Sequence, residues 1–280
     1  LSQQVLAIAP KVDAFAISSR FAVRNSAHEI QARDLIIQLT GKPVTLSTEL
    51  SSNLDAPRRA LTATLNARLI SRVSYLIEAV SKAMQHLSIQ CPLMIVKGDG
   101  TLALAESVLK RPIETVLSGP AASMVGAKWL SGLDNFLMSD MGGTTTDIGM
   151  LVAGFPRVRS EGAEIGGIPT NFRVPDVYSF GLGGGSLVQS APLAIGPQSV
   201  GFRLTEKALC FGGDTLTATD IAVAAGLVTL GDPARVRHLD AAFVRAAIEK
   251  MKTDVEAVLD RMKPSAEPIP AVLVGGGSVL

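Results

Sequence analysis

The chain has 280 residues, enough for one large domain or two of medium size. Apolar residues make up 47% and charged residues 18%, which supplies a sizeable core and argues against disorder. The 26 Lys and Arg nearly balance the 25 Asp and Glu, and aromatics are only 4%, so neither nucleic acid nor an acidic membrane surface is indicated as a partner.

The two cysteines, Cys91 and Cys210, lie far apart and form no metal-ligand spacing or disulfide framework. Both read as buried small hydrophobes in a protein of a reducing cytoplasm. No apolar run reaches the ~18 residues of a membrane span, and no basic region precedes an apolar stretch near Leu1. The chain starts without Met and stops in Gly275-Gly276-Gly277-Ser278-Val279-Leu280, directly after an apolar run. It therefore reads as a segment of a longer protein.

In chain order, residues 13–18 read as an apolar strand. Asn25-Ser26 opens a helix through Ile30, Leu35, Ile36 and Leu39, and Gly41 with Pro43 ends it. Val44, Leu46 and Thr48 alternate as a short strand. Leu61, Leu65, Leu69, Val73, Leu76, Ile77, Val80, Met84 and Leu87 recur every three or four residues and predict a long helix, roughly 45 Å in length. A buried strand over 93–96, a Gly98-Asp99-Gly100 turn, a helix over 102–109 and an Ala-rich helix over 121–129 follow. Near Asp134 the texture changes to strands and glycines. Helices are expected again over 219–230 and 241–262, and a strand over 271–274. The order of elements is mixed α/β, with residues 1–133 in one lobe and 134–280 in a second.

The strongest local signal is Asp140-Met141-Gly142-Gly143-Thr144-Thr145-Thr146-Asp147 between two apolar strands. Glycines let a backbone approach an anion, turn amides can converge on it, and threonines add hydroxyl donors. Two carboxylates beside a phosphate suit Mg²⁺, which takes oxygen ligands and keeps several waters. A β-hairpin with a polar tip is the plainer alternative. Two further glycine runs follow: Gly181-Leu182-Gly183-Gly184-Gly185-Ser186, and Gly275-Gly276-Gly277. The first is a weak dinucleotide motif or a tight inter-strand loop. The second is a base-binding platform or an ordinary turn. No G-x-x-x-x-G-K-[ST] motif is present. Taken together, the loops look like the arrangement of actin-like ATPases, with the first phosphate hairpin missing.

Leu117-Ser118-Gly119-Pro120-Ala121, then Asp140 to Asp147, then Gly181 to Ser186, then Ile195-Gly196-Pro197-Gln198-Ser199 resemble, in order and spacing, the ATPase subunits of the hydantoinase/oxoprolinase family. Asn25 to Glu29, Thr64 to Ala67 and Thr217 to Asp220 are similar to that family too, so the resemblance runs from about Val12 to Ser278. It departs at Ala122-Ser123, where the family usually has two glycines, and over Phe202–Phe211. The resemblance implies a partial actin-like (ribonuclease H-like) fold in two lobes. It also implies ATP with Mg²⁺, and phosphoryl transfer that activates a small cyclic amide for ring opening.

Asp140 and Asp147 are then the catalytic and metal-holding pair. The nucleotide would meet Gly142, Gly143, Thr144, Thr145, Thr146, Gly183, Gly184, Gly185, Gly275, Gly276 and Gly277. The resemblance also allows a second amidohydrolase subunit, or further copies of the chain, as partners. With one phosphate hairpin missing, the segment alone is expected to have little ATPase activity. An ATP-binding switch module of the chaperone or reactivase type is the alternative from a different functional class.

Among other polar residues, His28 has no second ligand at helical spacing, and Glu29 beside it reads as a first-turn acid favoured by the helix dipole. Asp220 reads as a helix-capping residue. Asp99 reads either as a turn residue or as an interdomain polar contact. Asp176 precedes the strand into Gly181 and is left without an assigned role.

Overall fold

The protein is described here from a computed structural model covering residues 1–159, 164–165 and 167–280. It is a mixed α/β chain of two compact units. One comprises Leu1–Ala121 with Val158–Pro175, the other Ala122–Arg157 with Asp176–Leu280.

The first unit opens with helix α1 (Ser2–Ile8), strand β1 (Phe15–Ile17), helix α2 (Ala27–Thr40), strand β2 (Val44–Leu46) and the single turn α3 (Ser47–Leu50). β1 and β2 pair in parallel, Phe15 opposite Val44 and Ile17 opposite Leu46, with α2 as the crossover that parallel pairing requires. Gly41 ends α2 at φ +66° and donates its amide to the Ile37 carbonyl at 2.8 Å, the expected glycine stop.

Helix α4 (Ala56–His86) is the long helix predicted by the apolar period, with Asp55 capping its start by accepting from the Arg58 amide at 3.1 Å. The buried face differs from the expectation. Arg59, Thr62, Ala63, Asn66 and Ala67 are buried, whereas Leu61, Tyr75, Leu76 and Leu87 are exposed. The inward face of the first three turns is occupied by polar side chains with specific partners, so the apolar period does not mark it. Leu65 and Leu69 are half-buried against the cluster of Ile113, Phe172 and Val174.

β3 (Met94–Val96) and β4 (Leu102–Leu104) form a hairpin around Gly98-Asp99-Gly100, and only one helical turn, α5 (Ala105–Val108), follows. The helix expected over 102–109 is thus half strand, because the Asp99–Thr101 turn reverses the chain and pairs Leu102 with Val96. Helix α6 (Ser118–Ser131) begins at the Ser-Gly-Pro motif. The units part within it at Ala121/Ala122, ahead of the texture change at Asp134, because Met124 and Ala127 pack on the sheet of the second unit.

That sheet contains β5 (Phe136–Met141), β6 (Thr146–Val152) and β7 (Phe155–Pro156). The chain then passes back through the first unit with β8 (Glu164–Ile165) and β9 (Ile168–Pro169), and returns as β10 (Val177–Phe180). A second hairpin, β11 (Ser186–Ser190) with β12 (Leu193–Ser199), precedes the short helices α7 (Leu204–Lys207) and α8 (Ala218–Ala224). Helix α9 (Ala241–Met262) and strand β13 (Ala271–Val274) complete the unit. The helix expected over 219–230 stops at Ala224, short of the positive-φ Gly226.

The strand order is β10–β6–β5–β13, with β7 also pairing β6 and β13 lying parallel to β5. Phe136, Met138, Leu151 and Val177 pack on the α6 side, while Leu137, Ile148 and Met150 meet Val258 and Met262 of α9 on the other. Coverage on both faces explains why β5 and β6 read as nearly continuous apolar runs. Each fully buried large apolar side chain contributes about 1.5–3 kcal/mol.

Candidate functional site

The β5–β6 hairpin places Asp140 directly opposite Asp147. Directly opposed residues of an antiparallel pair share one face of the sheet, with Cβ atoms about 4.5–5.5 Å apart. The same row continues on both sides, Ser179 of β10 beside Asp147 and Val274 of β13 beside Asp140. The Ser179 hydroxyl donates to Asp147 Oδ1. Among the described residues no Lys or Arg pairs with either carboxylate. Two like charges face to face are unfavourable without a cation or donors between them.

The turn joining the strands is closed by the Gly142 amide donating to the Thr145 carbonyl at 2.9 Å. Gly143, Thr144 and Thr145 are exposed, and their amides donate to no acceptor among the described residues. Thr146 is different. It is fully buried, and its hydroxyl donates to the Leu182 carbonyl at 2.7 Å, tying β6 to the next glycine run.

The three glycine runs meet at this turn. The Gly184 amide donates to the Gly142 carbonyl at 3.0 Å, and the Gly185 amide to the Gly143 carbonyl at 2.7 Å. A Cβ on Gly183 would lie 2.6 Å from the Thr144 nitrogen and 2.7 Å from the Gly142 oxygen, so only glycine allows these two backbones to approach. From the other side, Gly275 turns the chain at φ +88° after β13, and the Gly277 amide donates to the Met141 carbonyl at 2.7 Å. Ser199, at the end of β12, donates to the Gly143 carbonyl at 3.3 Å, and its Oγ lies 3.4 Å from the Thr144 hydroxyl. Every glycine of the candidate set therefore belongs to one neighbourhood of the second unit, built mainly from main-chain groups.

Among the described residues no three His, Cys, Asp or Glu side chains gather as a metal cage. Two carboxylates on one face, with open solvent at the turn, match the ligand demand of a hydrated Mg²⁺ rather than of a fully protein-coordinated ion.

The remaining polar candidates have structural partners. Asp220 is fully buried and forms a capping box with Thr217. It also accepts from the Leu209 and Cys210 amides at 3.2 and 2.7 Å, which pins the turn ahead of α8. Asp176 pairs with Arg157 at 2.8 Å, and that guanidinium also donates to the Met262 carbonyl. Cys210 is buried, and burial, reinforced by the Asp220 carboxylate, pushes its thiol up to about 12. Cys91 is exposed, contrary to the expectation that both cysteines are buried, because it lies in the loop between α4 and β3.

The first unit holds a network that the sequence reading missed. Glu29 is fully buried and accepts from the Ser19 amide at 2.7 Å, the Ser47 hydroxyl at 2.8 Å and the Thr48 hydroxyl at 3.1 Å. Arg59, also fully buried, donates to the Ser47 hydroxyl at 3.2 Å and to the Asn53 and Ser19 carbonyls at 2.6 Å each. One signal was available. Arg58-Arg59 in the first turn of a helix opposes the helix dipole, and a cation there needs its own acceptors.

The profile of the hydantoinase/oxoprolinase family matches residues 59–270. 5-Oxoprolinase 1 of Arabidopsis thaliana is 29% identical over 265 residues, covering 90% of this chain and 20% of the relative. Caprolactamase subunit alpha of Pseudomonas jessenii is 28% identical over 231 residues, covering 79% of this chain and 33% of the relative. The crystal structure of the ATP-dependent caprolactamase of that organism superimposes with a TM-score of 0.72 at 24% identity, over 96% of this chain and 43% of that one. The chain thus spans a fifth to a third of the length of these curated relatives. A profile match across most of the chain, together with the shared mixed α/β fold, establishes that the chain belongs to the hydantoinase/oxoprolinase family.

Proposed function

We propose that the protein takes part in ATP-dependent opening of a small cyclic amide, with the β5–β6 turn as the phosphate site. The observation that carries this reading is the convergence of two further glycine runs, far apart in sequence, on the backbone of residues 141–144. The open amides of Gly143, Thr144 and Thr145 would donate to phosphate oxygens, and Gly183–Gly185 would hold the turn in shape. Gly275–Gly277 would form the surface against which the nucleoside lies. Asp140 and Asp147 would hold Mg²⁺, which supplies neutralisation of phosphate charge.

In the reaction, the bond from the γ-phosphorus to its bridging oxygen breaks as one to the amide oxygen forms. With ADP as the leaving group, water would then add to the activated ring carbon, the ring nitrogen would leave with a proton as the C–N bond breaks, and a second water would release phosphate from the resulting acyl phosphate. The chain's own contribution is positioning and preorganised donors rather than covalent chemistry. We read the two units as parts of the lobes of an actin-like ATPase. The subunit designation of the caprolactamase relative supports a second subunit as the partner.

The test is Mg²⁺-dependent ATP hydrolysis by the intact protein carrying Asp140→Ala, with circular dichroism to verify folding. Turnover should fall by about 10²–10³, the usual effect of removing one preorganised group at such a site. Turnover within twofold of the parent would remove the hairpin as the phosphate site.

A further inference from the structure

Three polar side chains stand in one row across the sheet of the second unit. Ser179 of β10 is opposite Asp147 of β6, and Asp147 is opposite Asp140 of β5. Directly opposed residues share a face of a sheet, so the row sets one hydroxyl and two carboxylates side by side where the glycine turns meet. Its fourth position is Val274 of β13, which adds no polar group.

The two acids are not equivalent. The Ser179 hydroxyl donates to Asp147 Oδ1, and this is its one hydrogen bond among the described residues. Asp147 Oδ2 and both carboxylate oxygens of Asp140 accept no hydrogen bond among the described residues. Asp140 Oδ1 is turned toward Gly275, where an added Cβ would meet it at 2.5 Å. Ser179 itself is exposed on the outer strand of the sheet, so its hydroxyl is not needed to satisfy a buried group. What the bond does is directional. It occupies Oδ1, restrains the Asp147 side chain, and leaves Oδ2 as that residue's open ligand atom.

We propose that Ser179 is a positioning residue for the divalent cation. It holds Asp147 in the orientation that offers Oδ2 to the ion, while Asp140 stays free to adjust to it; this rests on the phosphate reading of the β5–β6 turn given above. Mg²⁺ demands near-ideal octahedral geometry and is bound through few carboxylates. A carboxylate that swings between orientations, beside another of like charge, holds such an ion poorly. A donor standing behind a ligand carboxylate is accordingly worth about 10–100-fold in metal affinity. Ser179 makes no bond to the ion and takes no part in the transfer itself.

The experiment measures binding rather than turnover. A non-hydrolysable ATP analogue is titrated calorimetrically into the intact protein and its variants, once in Mg²⁺ and once in EDTA, with circular dichroism to verify folding. We expect Ser179→Ala to weaken the affinity in Mg²⁺ by about tenfold or more and to leave that in EDTA within about twofold. Ser179→Thr keeps the hydroxyl on a residue that suits a strand, and should stay within about threefold of the parent in both. An unchanged affinity of Ser179→Ala in Mg²⁺ would overturn the proposal. So would an equal loss in Mg²⁺ and EDTA, which marks a merely structural serine, or a loss in Ser179→Thr as large as in Ser179→Ala. Asp140→Ala separates this inference from the reading beneath it. If that variant loses the Mg²⁺ dependence while Ser179→Ala keeps it, the role of Ser179 alone falls. If the parent shows no Mg²⁺ dependence, or Asp140→Ala retains it, the carboxylate row is not the cation site and both readings fall.

Discussion

In the second unit the candidate site is made of main-chain groups on glycine turns, whereas in the first unit the polar groups are side chains. At the β5–β6 turn, amides and carbonyls of Gly142, Gly143, Gly184 and Gly185 meet directly, and the absence of Cβ atoms makes the approach feasible. Around α4, the carboxylate of Glu29 and the guanidinium of Arg59 are buried without touching each other, linked through Ser47 and satisfied by backbone and hydroxyl partners. The difference teaches where each kind of site is vulnerable. The glycine loops of the second unit fail by steric intrusion, because they have no side chains to lose. A buried side-chain network fails by deletion, because each member removed leaves another polar group unsatisfied in low dielectric.

The largest effect should come from deletion in the first unit. Arg59→Ala removes donors from the Ser47 hydroxyl and from the Ser19 and Asn53 carbonyls. Breaking a buried charged network of this kind costs about 3–5 kcal/mol, which a urea titration resolves. A loss below about 1 kcal/mol would mean that the network does not depend on its cation, and the contrast between the units would lapse.

Intrusion in the second unit should come next. Gly183→Ala drives a methyl group against the Thr144 nitrogen and the Gly142 oxygen at 2.6–2.7 Å. Overpacking of this kind costs about 1–3 kcal/mol, and the displaced turn should weaken nucleotide binding as well. Gly143→Ala is the control for stability, since nothing lies within 4 Å of its added Cβ, and its cost should stay within about 0.5 kcal/mol. Equal stability of the two variants would contradict the close approach of the loops.

The smallest effect concerns the thiols and sharpens the contrast in burial. Native protein should react with a thiol reagent at Cys91 and not at Cys210, and denatured protein at both. Burial and Asp220 raise the Cys210 thiol to about 12, above its ordinary 9.0. The fold retains a proton that the unfolded chain releases in that window. This group's contribution is therefore fully present below pH 9, and it declines as pH rises toward 12. Two equivalents of rapid labelling in the native state would show that the turn pinned by Asp220 opens freely.

Much of the second unit was legible beforehand because its signals are local. Apolar runs of strand length and a Gly-Gly-Thr turn between them each act within a few residues. Strands β5, β6 and β13 and helix α9 accordingly stand where the sequence placed them. The long helix of the first unit was legible as a helix, but its buried side was not. Its period is carried by leucines, while its first turns bury Arg59, Thr62 and Asn66. Those three are inside because of Ser19, Ser47, Thr45, Lys110 and Asn171, which lie up to 109 positions away along the chain.

By itself, then, the sequence determined the order of the glycine turns, the opposed aspartates and the family to which the chain belongs, because glycine spacing and strand alternation act over short range. The tertiary structure alone decided that the three glycine runs share one neighbourhood and that Thr146 faces inward while Thr144 and Thr145 face out. It also decided that Glu29 and Arg59 belong to the interior and that Ser179 stands beside Asp147. These are long-range pairings, and burial or charge balance is set by which distant groups arrive as neighbours, a quantity that no local window of residues contains.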